Sequence, residues 1–168
     1  MKRTISTIGY EGSTIQSFVA ALRYASIDVL IDVRDLPLSR KKGFSKNSLA
    51  QILADADIEY VHLKGLGDPK DGRLAARAGK YDLFQKIFGR HMQTDIAVRD
   101  LEIAADLVRD RHACLMCFEC NHGNCHRSIV AERLAQMTQL TVTPLAVQNS
   151  RGAVLASDSL SQPIHVGI

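Results

Sequence analysis

The stretch IDVLIDVRD, Ile27 to Asp35, decides the fold. Its first seven residues form a short apolar run rich in branched side chains. A strand with one wet face alternates apolar and polar residues, whereas a strand covered on both faces reads as a nearly continuous run. Coverage on both faces is the condition of a parallel sheet flanked by helices. The neighbouring sequence should therefore supply strands and helices in alternation.

It does so in both directions. Upstream, RTISTIG (Arg3–Gly9) alternates and stops at a glycine, as a strand does. STIQSFVAALRYA then reads as a helix, with Ser13 and Gln16 in capping-box spacing and Ile15, Phe18, Val19 and Leu22 on one face. Downstream, Ser45 is placed to cap a helix over KNSLAQILADA, and IEYVHL (Ile58–Leu63) reads as a third strand. The stretch from Lys64 to Gly79, KGLGDPKDGRLAARAG, reads as irregular, and its Gly65, Gly67, Pro69 and Gly72 suggest either a mobile flap over the strand ends or ordinary turns. YDLFQKIFGRHM and TDIAVRDLEIAADLVRD read as helices, the second capped by Thr94 or Asp95. HACLMCF is a fourth strand, HRSIVAERLAQM a helix and LTVTPLAV a fifth strand. The expected fold is one α/β domain over residues 1–147, a mostly parallel sheet of about five strands with helices on both faces, and a tail over 148–168 with weak turn and strand signals.

Composition sets the outer bounds. At 168 residues the chain can bury a core without metal or disulfide staples. With 46% apolar and 23% charged residues it belongs to neither the disordered nor the collagenous class. No run approaches the roughly 18 apolar residues of a membrane span, and the first residues contain no hydrophobic signal segment. A cytoplasmic protein is expected, with its four cysteines as thiols. A net charge of +3 permits an anionic ligand, but alone it is too small to argue for nucleic acid.

Parallel sheets bind ligands beyond the carboxyl ends of their strands, so those positions are the candidates. Tyr10 and Glu11 follow the first strand, Asp32 and Arg34 end the second, His62 and Lys64 lie at the third, and Cys117 and Glu119 end the fourth. The loop CFECNHGNCHRS (Cys117–Ser128) then delivers Cys125, His126, Arg127 and Ser128 to a helix N-terminus. Free amide groups and the helix dipole favour an anion there, with Arg127 and Arg34 as a fork. Glu119, leaving an apolar strand into a cleft, can act as acid, base or nucleophile with its pKa raised by burial. Its structural alternative is an ion pair with Arg34 or Arg127. Cys125 beside His126 and Arg127 can hold a thiolate, or simply pack. Asp32 organises Arg34, meets a ligand hydroxyl or, as buried aspartates more commonly do, caps a loop, and Tyr10 either donates to a ligand or packs. SRKKGF (Ser39–Phe44), with Ser39, Arg40 and further cations, either holds a polyanion or a base or is a solvated loop. His62 fits a satisfied histidine.

Two rival readings of the cysteine loop are weaker. A zinc knuckle from Cys117, Cys120, His122 and Cys125 has plausible spacing, but one ligand would lie on an apolar strand. A cysteine-phosphatase or rhodanese loop from Cys120 to Arg127 is one residue longer than the phosphatase loop and lacks its glycines.

With TIGYEG (Thr7–Gly12), LIDVRDLPLSRKKGFS (Leu30–Ser45), IEYVHLKGLG (Ile58–Gly67) and CFECNHGNCHRSIVAERL (Cys117–Leu134), the chain resembles the domain of unknown function 488 family from about residue 4 to 145. The signature is Cys-x-Glu followed by Cys-His-Arg, here Cys117, Glu119, Cys125, His126 and Arg127, together with Asp-Val-Arg and Pro-x-Ser-Arg. The resemblance implies an α/β domain with its motifs at one edge of the sheet and these five residues in one site. Cys114 and Cys120 lie outside the pattern, which weakens the zinc reading further.

The expectation is thus a small enzyme, a hydrolase or group transferase, acting on a phosphate-bearing anionic substrate such as a nucleotide or nucleic acid. Its catalytic residues would be Glu119, Cys125 and His126. Tyr10, Asp32, Arg34, Ser39, Arg40, Cys117, Arg127 and Ser128 would bind substrate. No metal or cofactor and no membrane partner are expected, and homodimerisation is left open. The alternatives are a non-catalytic nucleotide or nucleic-acid binding module and a metal or thiol-redox protein.

Overall fold

The computed structural model describes residues 3–121, 125–148 and 154–155. Its centre is a five-stranded, all-parallel sheet of β1 (Thr4–Gly9), β2 (Val29–Asp32), β3 (Glu59–His62), β4 (Ala113–Cys117) and β5 (Thr141–Pro144), in the order β3-β2-β4-β1-β5. Every residue of β2 and of β4 is buried, while the edge strands β3 and β5 keep exposed positions. The apolar run that opened the sequence reading is thus an inner strand. A short antiparallel pair, β6 (Val147–Gln148) with β7 (Val154–Leu155), follows the sheet. The rest of the C-terminal tail lies outside the described residues.

Six α-helices are described: α1 (Ile15–Tyr24), α2 (Lys46–Asp55), α3 (Lys70–Arg77), α4 (Tyr81–His91), α5 (Asp95–Asp110) and α6 (His126–Thr138). Phe18 and Leu22 of α1 and Leu49 and Leu53 of α2 pack on one sheet face with Leu30, Cys114 and Met116. On the other face, Phe84 and Phe88 of α4, Ala104, Ala105 and Val108 of α5, and Val130 and Leu134 of α6 pack on Ile31, Leu115 and Cys117. Each fully buried Leu, Ile, Val or Phe contributes about 1.5–3 kcal/mol, so both faces are needed to stabilise the sheet. No helix among the described residues is long and apolar enough to cross a membrane.

This arrangement positions the site. From β4 the chain runs to α6 on one face, whereas its neighbours β1 and β2 send α1 and α2 to the other. Connections that diverge from adjacent strands leave a crevice above the carboxyl ends, here centred on β4.

Two local expectations are corrected. The α1 cap is Thr14, whose side chain accepts from the Ser17 amide while the Ser17 hydroxyl accepts from the Thr14 amide. Ser13 instead donates its hydroxyl to the Tyr10 carbonyl at 2.7 Å, closing the turn out of β1. The Lys64–Gly79 stretch is not a loose flap. It holds a 3-10 turn over Lys64–Leu66 and then α3. The turn is bound to α5 through the Gly65 amide, which donates to Asp100 at 2.7 Å.

Candidate functional site

The crevice above β4 is a cavity of about 410 Å³, within the usual size range of small-ligand sites. Its floor comes from the ends of three strands. Tyr10 follows β1, Arg34 follows β2, and Cys117 with Phe118 and Glu119 ends β4. The close approach of β1 to the β4 loop requires a residue without a side chain at Gly9. A Cβ there would fall on the Glu119 carbonyl and come within 2.9 Å of Arg127 Nη1.

Arg34 is 6% exposed and almost fully committed. Its Nε and Nη2 donate to the two Asp32 oxygens at 2.9 and 2.8 Å, and its Nη1 donates to the Phe44 carbonyl at 2.8 Å and the Tyr10 hydroxyl at 3.2 Å. Burial works against its charge, but the bonds and charge of Asp32 outweigh it and raise the Arg34 pKa. Asp32 is fully buried behind the arginine and also accepts from the Tyr60 hydroxyl. Burial, and then the Asp32 charge, raises the Tyr60 pKa. Tyr10 stacks on Phe44 with centroids 4.4 Å apart and meets the half-exposed Phe118 edge-on.

Arg127, in the first turn of α6, is only 1% exposed. Its Nη1 donates to the Glu119 carbonyl at 3.0 Å and to the Cys117 sulfur at 3.3 Å, which pins the β4 loop. Burial lowers its pKa. The sulfurs of Cys117 and Cys125 are in contact, while their Cα atoms stand 7.6 Å apart. That separation lies beyond the roughly 7 Å that a disulfide spans without backbone movement. Together with a Glu119 oxygen, their ligand atoms lie within 4.8 Å of one another, which is close enough for one metal ion. The guanidinium of Arg127 on the Cys117 sulfur puts positive charge at that spot and opposes a cation. Of the proposed zinc ligands, His122 lies outside the described residues.

His126 Nε2 lies 2.8 Å from the Val33 carbonyl. A carbonyl only accepts, so Nε2 carries the proton and Nδ1, 3.7 Å from the Cys125 sulfur, keeps the lone pair. Burial pushes the His126 pKa down to about 4, leaving the ring neutral. Burial raises the Glu119 pKa, against the pull of Arg127 and Arg77.

Among the residues expected from sequence, Tyr10, Arg34, Ser39, Arg40, Cys117, Glu119 and His126 line the cavity. Asp32, Cys125, Arg127 and Ser128 form a second layer behind it: Asp32 holds Arg34, and the Ser128 hydroxyl donates to the Cys125 carbonyl at 2.7 Å. The Ser39 amide donates to the Ser45 hydroxyl at 3.0 Å, which ties the loop carrying Arg40 to the start of α2. His62 does not line the cavity; its Nε2 lies 2.7 Å from the Arg34 carbonyl.

The cavity also includes residues that the sequence reading missed: Asp35, Leu36, Leu38, Asp68, Arg73, Arg77 and Phe118. Asp35 was within reach, one place after Arg34. Phe118 was hidden by strand parity, because β4 ends at Cys117 and its alternation stops there. Asp68, Arg73 and Arg77 come from the stretch that looked irregular. Arg73 bonds Asp35 at 2.8 Å. Arg40 and Arg77 are exposed at the mouth and make no ion pair among the described residues.

No match was found among curated proteins or among solved structures. The sequence profile described as "Domain of unknown function DUF488" matches residues 14–134, which spans β2, β3, β4, the first part of α6 and most of the cavity wall. The chain belongs to the DUF488 family.

Proposed function

We propose that the chain is an enzyme, a hydrolase or group transferase, acting on a phosphate-bearing anionic substrate such as a nucleotide or a nucleic-acid end. One observation carries this reading: a carboxyl with a burial-raised pKa, Glu119, shares a cavity with two exposed guanidinium groups, Arg40 and Arg77, that close no ion pair among the described residues. Arg34 gives most of its donors to the protein, and Arg127 is buried with its Nη1 held by the Glu119 carbonyl and the Cys117 sulfur, so both supply fixed positive potential. Arg40 and Arg77 are left to grip the anion, for which the planar fork suits phosphate.

The other wall explains why a nucleotide is a better candidate than bare phosphate. Leu36, Leu38 and Phe118 line the same cavity and are 55%, 72% and 47% exposed. An apolar shelf beside an anion grip suits a ligand with a planar base and a phosphate, because a base stacks on an aromatic ring. Glu119 would then move a proton at, or attack, the bond next to the phosphate. His126 presents its Nδ1 lone pair and Cys117 its sulfur nearby.

The test combines calorimetric titration of thymidine 5′-phosphate and inorganic phosphate with assays of nucleotide and oligonucleotide cleavage. Arg40→Ala with Arg77→Ala should weaken nucleotide binding at least tenfold. Glu119→Gln should keep binding and lose turnover by about 10²–10⁴-fold. Binding without any turnover in the wild type would make the chain a non-catalytic module. Failure to bind either ligand, or binding indifferent to both arginines, would overturn the reading.

A further inference from the structure

We infer that Asp68 is the catalytic acid of this cavity, the carboxyl that protonates the leaving group while Glu119 takes the proton of the attacking group. This inference rests on the hydrolase reading above and assigns roles within it.

Asp68 lies two residues beyond the 3-10 turn, directly before Pro69 and α3, in a stretch with no motif. It is 6% exposed and lines the cavity together with Glu119 and His126. Its backbone carbonyl is well bonded, accepting from Arg73 Nη1 at 2.5 Å. Its side-chain Oδ1 is buried and meets no donor among the described residues. A buried carboxylate oxygen without a donor is costly, whereas a neutral carboxyl avoids the charge and brings a hydrogen of its own to give.

Room is reserved for this oxygen. Gly72 sits inside α3, where glycine costs about 1 kcal/mol relative to alanine. Its backbone is not in the left-handed region, so conformation does not require glycine there. The space does: a Cβ at Gly72 would fall on Asp68 Oδ1. A structural carboxylate would be expected to gain a partner at such a spot, and this one has only clearance.

Burial raises both carboxyls, but their charged neighbours differ. Asp68 is pushed up to about 7 by burial, with the carboxylates of Glu119 and Asp35 adding to the shift and one cation, Arg73, opposing it. At Glu119 burial is opposed by a backbone bond and by two cations, Arg127 and Arg77, with Glu11 adding to the rise. When two carboxyls in one site have environments that separate them, the one in the acidic, buried setting is the proton donor and the one beside cations is the base.

The step then balances. In hydrolysis of a phosphoester, a water oxygen forms the new P–O bond while its proton passes to the Glu119 carboxylate. The P–O bond to the leaving group breaks, and its electron pair stays on the departing oxygen, which takes the proton from Asp68. Glu119 ends protonated and Asp68 ionised, and proton exchange with solvent restores both.

Two probes separate an acid from a structural carboxyl: the p-nitrophenyl and phenyl esters of thymidine 5′-phosphate. p-Nitrophenolate leaves without protonation, whereas phenolate needs the proton. In Asp68→Asn, kcat for the phenyl ester should fall by about 10²–10³-fold, kcat for the p-nitrophenyl ester by less than tenfold, and KM for either should hardly move. The fall in activity above about pH 7 in the wild type should disappear in the variant. Gly72→Ala, which crowds the same oxygen, should reproduce the discrimination between esters. Equal losses on both esters, or none, would overturn the acid role while leaving hydrolysis intact. A wild type inactive on both esters would overturn the hydrolase reading and the acid role together. If Asp68→Asn does not fold, carbon-13 titration of the wild-type aspartates decides: an Asp68 carboxyl ionising in the ordinary range would overturn the inference.

Discussion

Arg34 is tolerable inside the protein only because Asp32 is there with it. Three bonds join the pair, one from the Arg34 amide and two from its guanidinium, and the aspartate is fully buried. Removing one member of a buried pair leaves an uncompensated charge and typically costs about 3–5 kcal/mol. Asp32→Ala should therefore lower the thermal midpoint by about 10 °C, taking roughly 2–4 °C per kcal/mol for a chain of this size. Asp32→Asn, which keeps the shape and one acceptor, should fall less. Differential scanning calorimetry distinguishes this from a ligand-binding aspartate, whose loss would leave the midpoint unchanged. Phe118 stands at the opposite extreme, 47% exposed and in edge contact with Tyr10. A stacked base is worth about 1–3 kcal/mol, so Phe118→Ala should weaken thymidine 5′-phosphate binding about 5- to 150-fold. Binding of inorganic phosphate should be unaffected, and titration calorimetry with both ligands reads the difference.

At the scale of elements, α1 shows how a cap can be legible in kind and misplaced in position. Ser13 and Thr14 are both good caps, and sequence cannot say which hydroxyl turns inward. The Tyr10 carbonyl claims Ser13, leaving Thr14 to exchange bonds with Ser17. Thr14→Ala should cost about 1 kcal/mol, seen as a lower urea midpoint with unchanged slope, whereas Gln16→Ala should leave the midpoint alone. The strands and the long helices were readable because each buries a large apolar stripe, as Phe18 and Leu22 do in α1. The helix α3 was not, because its buried positions are Gly72 and Ala75, too small to print an apolar period. The same blindness hid part of the site. Residues on motif-bearing strand ends, such as Tyr10, Arg34 and Glu119, announced themselves by convergence on one sheet edge. Asp68, Arg73 and Arg77 are brought over that edge by a turn and helix whose placement depends on tertiary contacts, including the Gly65 bond to Asp100.

For the molecule as a whole, two buried groups titrate over one pH range with opposite consequences for stability. His126 is pushed from an ordinary 6.5 down to about 4 by burial, which outweighs its bond to Val33, with Arg127 and Arg73 adding to the shift and Asp32 opposing it. Between those values the unfolded chain binds a proton that the folded chain refuses, so acidification costs stability. Asp68 is pushed from an ordinary 3.8 up to about 7 by burial, with Glu119 and Asp35 adding to the shift and Arg73 opposing it. Between those values the folded chain holds a proton that the unfolded chain has released. Its stabilisation is therefore complete below about pH 4 and is lost as the pH rises through 7. The two slopes partly cancel in the wild type, which should show a shallow profile from pH 4 to 7. Asp68→Asn removes one slope and leaves that of His126, so its unfolding free energy should fall more steeply on acidification from pH 6.5 to 4. Above pH 7, where the wild type pays to ionise a buried carboxyl, the variant should be the more stable protein. Urea unfolding at half-unit pH steps measures both, and parallel profiles would mean that Asp68 ionises in the folded chain as it does in the unfolded one.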